Sequence, residues 1–272
     1  MSEPLRLMCI LAHPDDESLG TGGTLAKYAA EGVETSLVTA TSGQRGWKGA
    51  PQDHPGPEAL AALRSSELRA AAQVLGIGRL ITLDLMDGEL DQTDVQGTTD
   101  TIADHIRMIR PHVVVTFGPD GVYGHPDHIA ISQRATAAVA RAASPQAKLE
   151  TAPHLVSKLY FMAPTADLMD AYQAAFGTFD KRVDGESRRA VVWPDWAVTT
   201  RLDAHDHAAT VWEAITCHRS QLRDYQRLQG LSEAQRLRIF GEQPYYRVCS
   251  QVNGGRDVED DLFSGLRSGG RS

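Results

Sequence analysis

Two short polar clusters in this chain carry side chains that commonly bind metal ions. The sequence HPDDE occupies residues 13–17, directly after an apolar run, and HPDH occupies residues 125–128. Imidazole nitrogens and carboxylate oxygens are common zinc ligands, and two imidazoles with one carboxylate leave part of the coordination sphere open to water. An ion in such an open site can lower the pKa of water from 15.7 to about 7 and polarise a carbonyl group. The clusters therefore indicate metal-dependent hydrolysis of an amide.

The residues within each cluster can divide the work between metal binding and proton transfer. Only one of the adjacent Asp15 and Asp16 can readily reach the metal, which leaves the other to accept a proton from water. His125 and His128 would share one face of a helix that has Pro126 in its first turn, so one could bind metal while the other faces the substrate. Asp127 could orient an imidazole. The spacing leaves both of these divisions open.

Buried strands must bring the two clusters together. The run LMCILA at residues 7–12 and the three consecutive valines within residues 112–117 are typical of strands covered on both faces of a sheet. In open α/β sheets, ligands bind in the crevice beyond the carboxyl ends of the strands. We therefore expect an active site at the carboxyl edge of the sheet, formed by residues far apart in sequence.

The order of strand-like and helix-like segments predicts a Rossmann-like α/β domain with a mainly parallel sheet flanked by helices. Predicted strands cover residues 7–12, 33–41, 80–85, 112–117, 158–162 and 198–202, and predicted helices cover residues 24–30, 58–75, 98–109, 166–176 and 205–222. Residues 180–189 are expected to form a polar surface loop. We expect one domain over residues 1–250, and a flexible tail over residues 251–272 because they are rich in Gly, Asp and Arg.

Composition limits the classes of molecule that this protein could bind. The chain has 272 residues, of which 42% are hydrophobic and 23% charged, with a formal net charge of −8. This negative charge argues against nucleic acid or an anionic membrane as partner and favours a small polar molecule. Three separated cysteines indicate neither a disulfide framework nor a thiolate zinc site. No apolar stretch approaches the length of a membrane span. We expect a cytoplasmic protein, and the sequence leaves assembly as a homo-oligomer open.

Both clusters resemble the paired motifs of the LmbE/PIG-L family of zinc-dependent N-acetylglucosamine deacetylases. Residues 12–17 and 124–128 match these motifs in order and spacing. Further similar patches are residues 41–46, RSSE at 64–67 and HRSQ at 218–221, so the resemblance extends over most of residues 5–222. The chain is similar to the deacetylases of the mycothiol and bacillithiol pathways. Val211 is a departure, because relatives often carry a lysine at that position.

The resemblance implies a set of site residues and a reaction. It implies His13, Asp16 and His128 as metal ligands, Asp15 as general base, and His125 as a protonated group that assists the oxyanion or the leaving amine. Tyr123 and Asp127 complete the expected catalytic group, and Arg64 and Asp87 match positions that contact substrate. The implied cofactor is zinc or another divalent ion such as Fe²⁺. The implied reaction removes the N-acetyl group from an N-acetylglucosamine-type sugar conjugate and releases acetate and a free amine.

Three other functions compete with this one. A related branch of the family implies an amidase that uses the same zinc site on a thiol-sugar conjugate. Glycines 20, 22 and 23 also follow the first strand, as in dinucleotide-binding proteins, but Leu25 stands where the third glycine of that fingerprint belongs. A non-catalytic sugar-binding module is the third alternative, and the presence of both Asp15 and His125 argues against it. Five further histidines are more consistent with structural or exposed positions, namely His54, His105, His112, His154 and His218.

Overall fold

A seven-stranded sheet forms the centre of the protein. The computed structural model describes residues 3–176, 180–183, 185–222, 230–255 and 257–267. The strands are β1 (Arg6–Leu11), β2 (Glu34–Thr41), β3 (Arg79–Leu85), β4 (Val113–Thr116), β5 (Lys158–Met162), β6 (Asp180–Val183), β7 (Glu186–Arg189), β8 (Thr200–Asp203) and β9 (Glu242–Ser250). The order in the large sheet is β3-β2-β1-β4-β5-β9-β8, and β6 pairs with β7 in a separate hairpin.

Helices in two groups pack around this sheet. They are α1 (Asp16–Ala30), α2 (Pro57–Val74), α3 (Val95–Ile109), the single turn α4 (Gly121–Gly124), α5 (Pro126–Ala143), α6 (Ala166–Phe176), α7 (Ala208–Cys217) and α8 (Glu233–Phe240). Helices α1 and α2 both contact α7, whereas α3 contacts α5. No helix in the described part of the chain combines the length and the apolar character that crossing a membrane requires.

The sheet topology decides where a ligand can enter. Strand β1 pairs in parallel with both β2 and β4, while β3 continues the parallel sheet beyond β2 and β5 continues it beyond β4. The chain therefore moves outward in opposite directions from the β1–β4 pair, which makes this pair the topological switch point where open α/β sheets bind ligands. At one edge, β9 pairs antiparallel with β5, and β8 pairs antiparallel with β9. These findings confirm the predicted mainly parallel α/β fold.

The two strands at the switch point are buried on both faces. Leu7, Ile10 and Leu11 of β1 are fully buried, as are the three valines of β4. Burying one such side chain stabilises the fold by about 1.5–3 kcal/mol. This burial explains why the two strands read as continuous apolar runs, and why polar side chains begin only where the strands end.

Helix α1 begins earlier than predicted, at Asp16 rather than after the glycines. Glycines 20, 22 and 23 lie inside the helix, where they allow close packing. A Cβ atom at Gly23 would lie 2.7 Å from the Ala204 Cβ atom, and one at Gly22 would lie 3.1 Å from Val211. The glycines therefore bring α1 close to neighbouring elements, and they do not form a phosphate-binding loop before the helix.

The C-terminal half differs from the sequence-based expectation in several places. The predicted loop at residues 180–189 contains the β6–β7 hairpin, and β9 and α8 were not predicted. Part of the expected flexible tail is packed: Leu262 and Phe263 are fully buried, and the Leu262 N–H donates a 2.7 Å hydrogen bond to the Tyr28 hydroxyl. These two apolar side chains pack in the protein interior beside α1. The composition of the segment does not predict this packing. Residues 268–272 of the expected tail lie outside the described residues, and the domain limits 1–250 stay a prediction.

Candidate active site

Three donor atoms from distant parts of the chain converge beside the switch point. His13 follows β1, Asp16 begins α1, and His128 lies in the first turn of α5. The Nδ1 atom of His13 lies 3.5 Å from the Asp16 Oδ2 atom and 3.3 Å from the His128 Nε2 atom. The His128 Nε2 atom is 3.5 Å from the other Asp16 oxygen. The structure thus brings together the three residues expected to bind metal.

Protein groups hold the opposite nitrogen of each imidazole. The His13 Nε2 atom lies 3.0 Å from Asp127 Oδ2 and 3.2 Å from Asp87 Oδ1. His128 directs its Nδ1 atom to the Gly121 carbonyl oxygen at 3.2 Å, and its ring stacks on Phe117 with centroids 4.0 Å apart. Metal-binding histidines are usually oriented by such carboxylate or carbonyl partners. This arrangement leaves His13 Nδ1 and His128 Nε2 facing Asp16.

Asp127 is fixed by backbone groups as well as by His13. Its side chain is 0% exposed, and its two oxygens accept hydrogen bonds from the N–H groups of Gly88 at 2.7 Å and Leu90 at 3.0 Å. The structure therefore places Asp127 behind His13, which is the imidazole-orienting position that its spacing suggested. Asp87, expected to contact substrate, shares this position, and its second oxygen accepts a 3.1 Å hydrogen bond from the Arg45 N–H.

The electrostatics of the cluster suit a cation. Burial lowers the pKa of His128 to about 3, so this ring is neutral at pH 7, which is the form that binds metal. Burial also acts to lower the pKa of His13, but hydrogen bonds with Asp127, Asp16 and Asp87 outweigh it and raise that pKa. The pKa of Asp87 falls to about 2 despite burial, because His13 lies beside it. Three carboxylates thus face a single charged imidazole, and a divalent cation would balance the surplus negative charge.

Asp15 has a different environment from its neighbour Asp16. Its carboxylate forms a 3.1 Å ion pair with Arg64, and its backbone N–H donates a 2.9 Å hydrogen bond to Glu17. The backbone of Asp15 is left-handed, with φ at 113°, which is uncommon for a residue with a Cβ atom. Asp15 is therefore beside the donor cluster without belonging to it.

Arg64 lies inside the protein, at the base of the site. It is 3% exposed and donates hydrogen bonds to the carbonyl oxygens of Pro14 and Gly43, the second at 3.1 Å. A Cβ atom at Gly43, whose φ is +65°, would lie 2.3 Å from the guanidinium. Arg64 therefore ties Asp15 to the loop that follows β2. Its expected direct contact with substrate stays a prediction.

His125 caps the start of α5 and faces His13 and His128. Its Nδ1 atom accepts a 3.1 Å hydrogen bond from the Asp127 N–H, and its ring stacks on His128 with centroids 4.8 Å apart. Burial and the charge of His13 lower the pKa of His125, which favours a neutral ring near pH 7 rather than the protonated ring that the resemblance implies. Because Nδ1 accepts a hydrogen bond, the neutral ring carries its proton on Nε2 and can donate from there.

Tyr123 lies at the edge of the same ring stack. Its ring meets His125 edge-on, with centroids 5.8 Å apart, and lies 5.4 Å from His128. Burial and the nearby carboxylates raise the pKa of Tyr123, so its hydroxyl stays protonated and can donate a hydrogen bond. The preceding Val122 has φ at 68°, an unfavourable value for a β-branched residue. The segment that carries Tyr123 and His125 is therefore held in a specific shape by its surroundings.

Glu17, Glu67 and the HRSQ segment have no catalytic or binding role predicted from the sequence, yet all of them adjoin the site. The His218 Nε2 atom lies 2.7 Å from a Glu17 oxygen, and both side chains are fully buried. Ser220 donates to Glu67 from its N–H at 2.7 Å and from its hydroxyl at 2.6 Å. Gln221 donates a 2.8 Å hydrogen bond to the Gly46 carbonyl oxygen. In the sequence, residues 218–221 were noticeable through their similarity to the family pattern. That similarity did not indicate which side chains they contact.

Comparison with known proteins decides the family. Residues 8–139 match the PIG-L family, described as GlcNAc-PI de-N-acetylase. A 1D-myo-inositol 2-acetamido-2-deoxy-alpha-D-glucopyranoside deacetylase from Rhodococcus jostii is 35% identical over 96% of this chain and 98% of that protein. Deacetylase 2 of the same description, from Catenulispora acidiphila, is 33% identical over 97% of this chain and 98% of that protein. The chain belongs to the PIG-L family. This membership confirms the predicted family and the predicted class of enzyme, an N-deacetylase.

A solved structure agrees with the PIG-L assignment at the level of the fold. The N,N'-diacetylchitobiose deacetylase from Pyrococcus horikoshii superposes with a TM-score of 0.64 at 21% sequence identity. The match covers 89% of this chain and 83% of that one. The α/β architecture described above is therefore shared with a protein of deacetylase activity.

Proposed function

We propose that this PIG-L protein is a divalent-metal hydrolase that removes the acetyl group from an N-acetylglucosamine conjugate with an inositol-type aglycone. The observation that carries the proposal is the convergence of His13, Asp16 and His128 beside the Asp15–Arg64 ion pair. The relatives from Rhodococcus and Catenulispora, which align over almost their whole length, support the inositol-linked sugar as substrate. A cytoplasmic location and a homo-oligomer, both considered from the sequence, stay predictions.

The residues present fit a metal such as zinc. His13 Nδ1, a carboxylate oxygen of Asp16 and His128 Nε2 would hold it, because these atoms face one another and protein groups occupy the opposite ring nitrogens. Two imidazoles and a carboxylate suit zinc, and Fe²⁺ is the alternative. When bound, the ion would acidify water and polarise the amide carbonyl.

The side chains around the metal site would share the proton transfers. Asp15, held by Arg64, would accept a proton from the attacking water and return it to the amine nitrogen as the C–N bond breaks. His125, through its Nε2–H, and the protonated Tyr123 hydroxyl would donate hydrogen bonds to the oxyanion that forms from the carbonyl oxygen. We assign Asp127 and Asp87 to positioning His13, since both contact its Nε2 atom.

Acetate and free-amine detection across a panel of N-acetylglucosaminides tests the proposal. The panel contains the inositol-linked sugar, diacetylchitobiose, a simple alkyl glycoside and an amide-linked thiol-sugar conjugate. We expect equal amounts of acetate and amine, fastest release from the inositol-linked sugar, loss of turnover on chelation, and recovery with added zinc. Fastest cleavage of the thiol-sugar conjugate would instead support the amidase alternative. Full activity in protein shown by elemental analysis to hold no metal would exclude the mechanism.

A further inference from the structure

The buried side chain of Glu17 links the HRSQ segment (residues 218–221) to the backbone of Asp15. One Glu17 oxygen lies 2.7 Å from His218 Nε2 and also accepts a 2.6 Å hydrogen bond from the Ser18 hydroxyl. The other oxygen accepts a 2.9 Å hydrogen bond from the Asp15 N–H. Both partners of the ion pair are fully buried. A buried charge pair of this kind is costly to break, because the remaining charge would be left without its partner.

Asp15 needs such support because of its backbone conformation. A φ of 113° is disfavoured for any residue with a Cβ atom and persists only where surrounding contacts impose it. The Asp15 carbonyl oxygen accepts hydrogen bonds from the N–H groups of Ser18 at 3.1 Å and Leu19 at 3.0 Å. Glu17 fixes the N–H on the other side of the same residue. The peptide groups on both sides of the Asp15 Cα atom are thereby fixed, and with them the direction of its carboxylate.

The HRSQ segment also contacts the other elements around Asp15. Ser220 binds Glu67, which follows Arg64 by one turn of α2. Gln221 binds the carbonyl oxygen of Gly46, in the loop whose Gly43 accepts a hydrogen bond from Arg64. Residues 218–221 therefore contact α1, α2 and the loop after β2, all three of which surround Asp15.

We propose that Glu17 and His218 are positioning residues for the deacetylation: their ion pair holds the Asp15 backbone so that its carboxylate stays between Arg64 and the metal site. This inference rests on the proposed function, in which Asp15 moves the proton. It also gives a role to the HRSQ segment, which lies far from the metal-binding residues in sequence and contributes no metal ligand.

A double-mutant cycle between His218 and Asp15 tests the inference. His218→Leu removes the hydrogen-bond donor, and we expect kcat to fall about 10-fold to 100-fold, as a displaced catalytic group would cause. KM and bound metal should stay close to the wild-type values, and His218→Gln, which retains an N–H donor, should recover most of the activity. In an Asp15→Asn background, His218→Leu should lower kcat by less than about 2-fold, because both residues act through the same group.

A second buried ion pair supplies a matched control. Lys158 and Glu259 lie 2.6 Å apart at the opposite edge of the sheet, where β5 begins. Lys158→Met should lower the melting temperature while leaving kcat unchanged. If Lys158→Met lowers kcat as much as His218→Leu, general destabilisation explains the loss and the inference fails. The inference also fails if His218→Leu lowers kcat equally in the wild-type and Asp15→Asn backgrounds, or leaves the wild-type kcat unchanged.

Further measurements separate this inference from the proposed function. If His218→Leu does not fold, the isosteric Glu17→Gln replaces it in the cycle, with the same expected losses. If the wild-type protein releases acetate from no member of the panel, the proposed function fails. In that case, crystal structures of His218→Leu and Glu17→Gln test the positioning role independently of turnover. An Asp15 that keeps its left-handed φ and its Arg64 contact in both variants would overturn it, and a displaced Asp15 would support it.

Discussion

Asp15 and Asp16 are adjacent in sequence but meet different partners. Asp16 places its two oxygens 3.5 Å from the two facing imidazole nitrogens, whereas Asp15 pairs with a guanidinium. The difference arises because Asp16 is the first residue of α1, while Asp15 adopts a left-handed backbone just before the helix. One peptide bond therefore separates the proposed metal ligand from the proposed base.

Substitution of these two aspartates should separate metal binding from proton transfer. Asp16→Ala removes one of three protein donors, so metal content and activity should fall together. Asp15→Asn should keep near-stoichiometric metal and lose about 10² to 10⁴ in rate, the usual cost of removing a general base. Metal per chain by elemental analysis, measured alongside kcat, checks both. Loss of metal from Asp15→Asn with retention in Asp16→Ala would reverse the assigned roles.

Asp127 should control the affinity for metal through His13. Asp127→Asn removes the negative charge beside His13 Nε2 and weakens the orientation of that ring, so we expect about 10-fold to 100-fold lower metal affinity. Competition with a chelator of known affinity provides the measurement. Asp100→Asn is the control, because Asp100 forms its ion pair with Arg141 between α3 and α5, and neither residue belongs to the donor cluster. Unchanged metal affinity in Asp127→Asn would show that His13 does not need this partner.

At the scale of elements, α1 contacts the segment after α7 through a fully buried ion pair between Glu17 and His218. Burial acts to lower the pKa of His218, but the negative charge of Glu17 outweighs it and raises that pKa above 6.5. In the same way, burial acts to raise the pKa of Glu17, and His218 lowers it below 4.5. Both shifts favour the charged forms, so each residue stabilises the charge of the other across the contact between the two elements.

The stability of the fold should therefore depend on pH through His218. A raised pKa in the folded state means that the stabilisation from protonated His218 is complete below about 6.5 and is lost as pH rises through the folded-state pKa. As pH rises above about 6.5, the free energy of unfolding of the wild type should fall more steeply than that of His218→Gln. Urea unfolding at a series of pH values measures both curves. Parallel curves for the two proteins would contradict this assignment.

At the scale of the whole molecule, residues 257–267 cover part of the sheet and of α1. Phe263 is fully buried against Tyr28, with ring centroids 5.0 Å apart. Glu259 accepts hydrogen bonds from Lys158 at 2.6 Å and Tyr160 at 2.7 Å, which belong to β5. Within residues 257–267, the buried side chains of Leu262 and Phe263 therefore extend the hydrophobic core.

Removing the buried ring of this segment should destabilise the whole fold. Phe263→Ala deletes a fully buried aromatic side chain, and we expect a loss of about 3–5 kcal/mol in the free energy of unfolding. Val258→Ala, at a side chain that is 57% exposed, should change it by less than about 0.5 kcal/mol. Urea unfolding monitored by circular dichroism compares the variants. Equal stabilities would indicate that the segment packs too weakly to contribute.

The sequence by itself determined the fold class and the family, and it singled out the two clusters that contain the proposed metal ligands. Apolar runs such as residues 7–12 report burial on both faces of a strand directly, because adjacent residues face opposite sides of a sheet. The start of α1 was missed for a related reason. Its glycines read locally as a break in the helix, and only the neighbouring Ala204 and Val211 show that they allow close packing.

Only the tertiary structure decided which side chains support the site. Asp127 behind His13, Arg64 on Asp15 and His218 on Glu17 each join residues from different elements. Such pairs depend on the order of strands in the sheet and on the direction of each helix. Hydrophobic periodicity along the chain contains no information about either property. The sequence therefore named the residues that we propose as metal ligands, whereas the residues that hold them in place became visible only once the chain was folded.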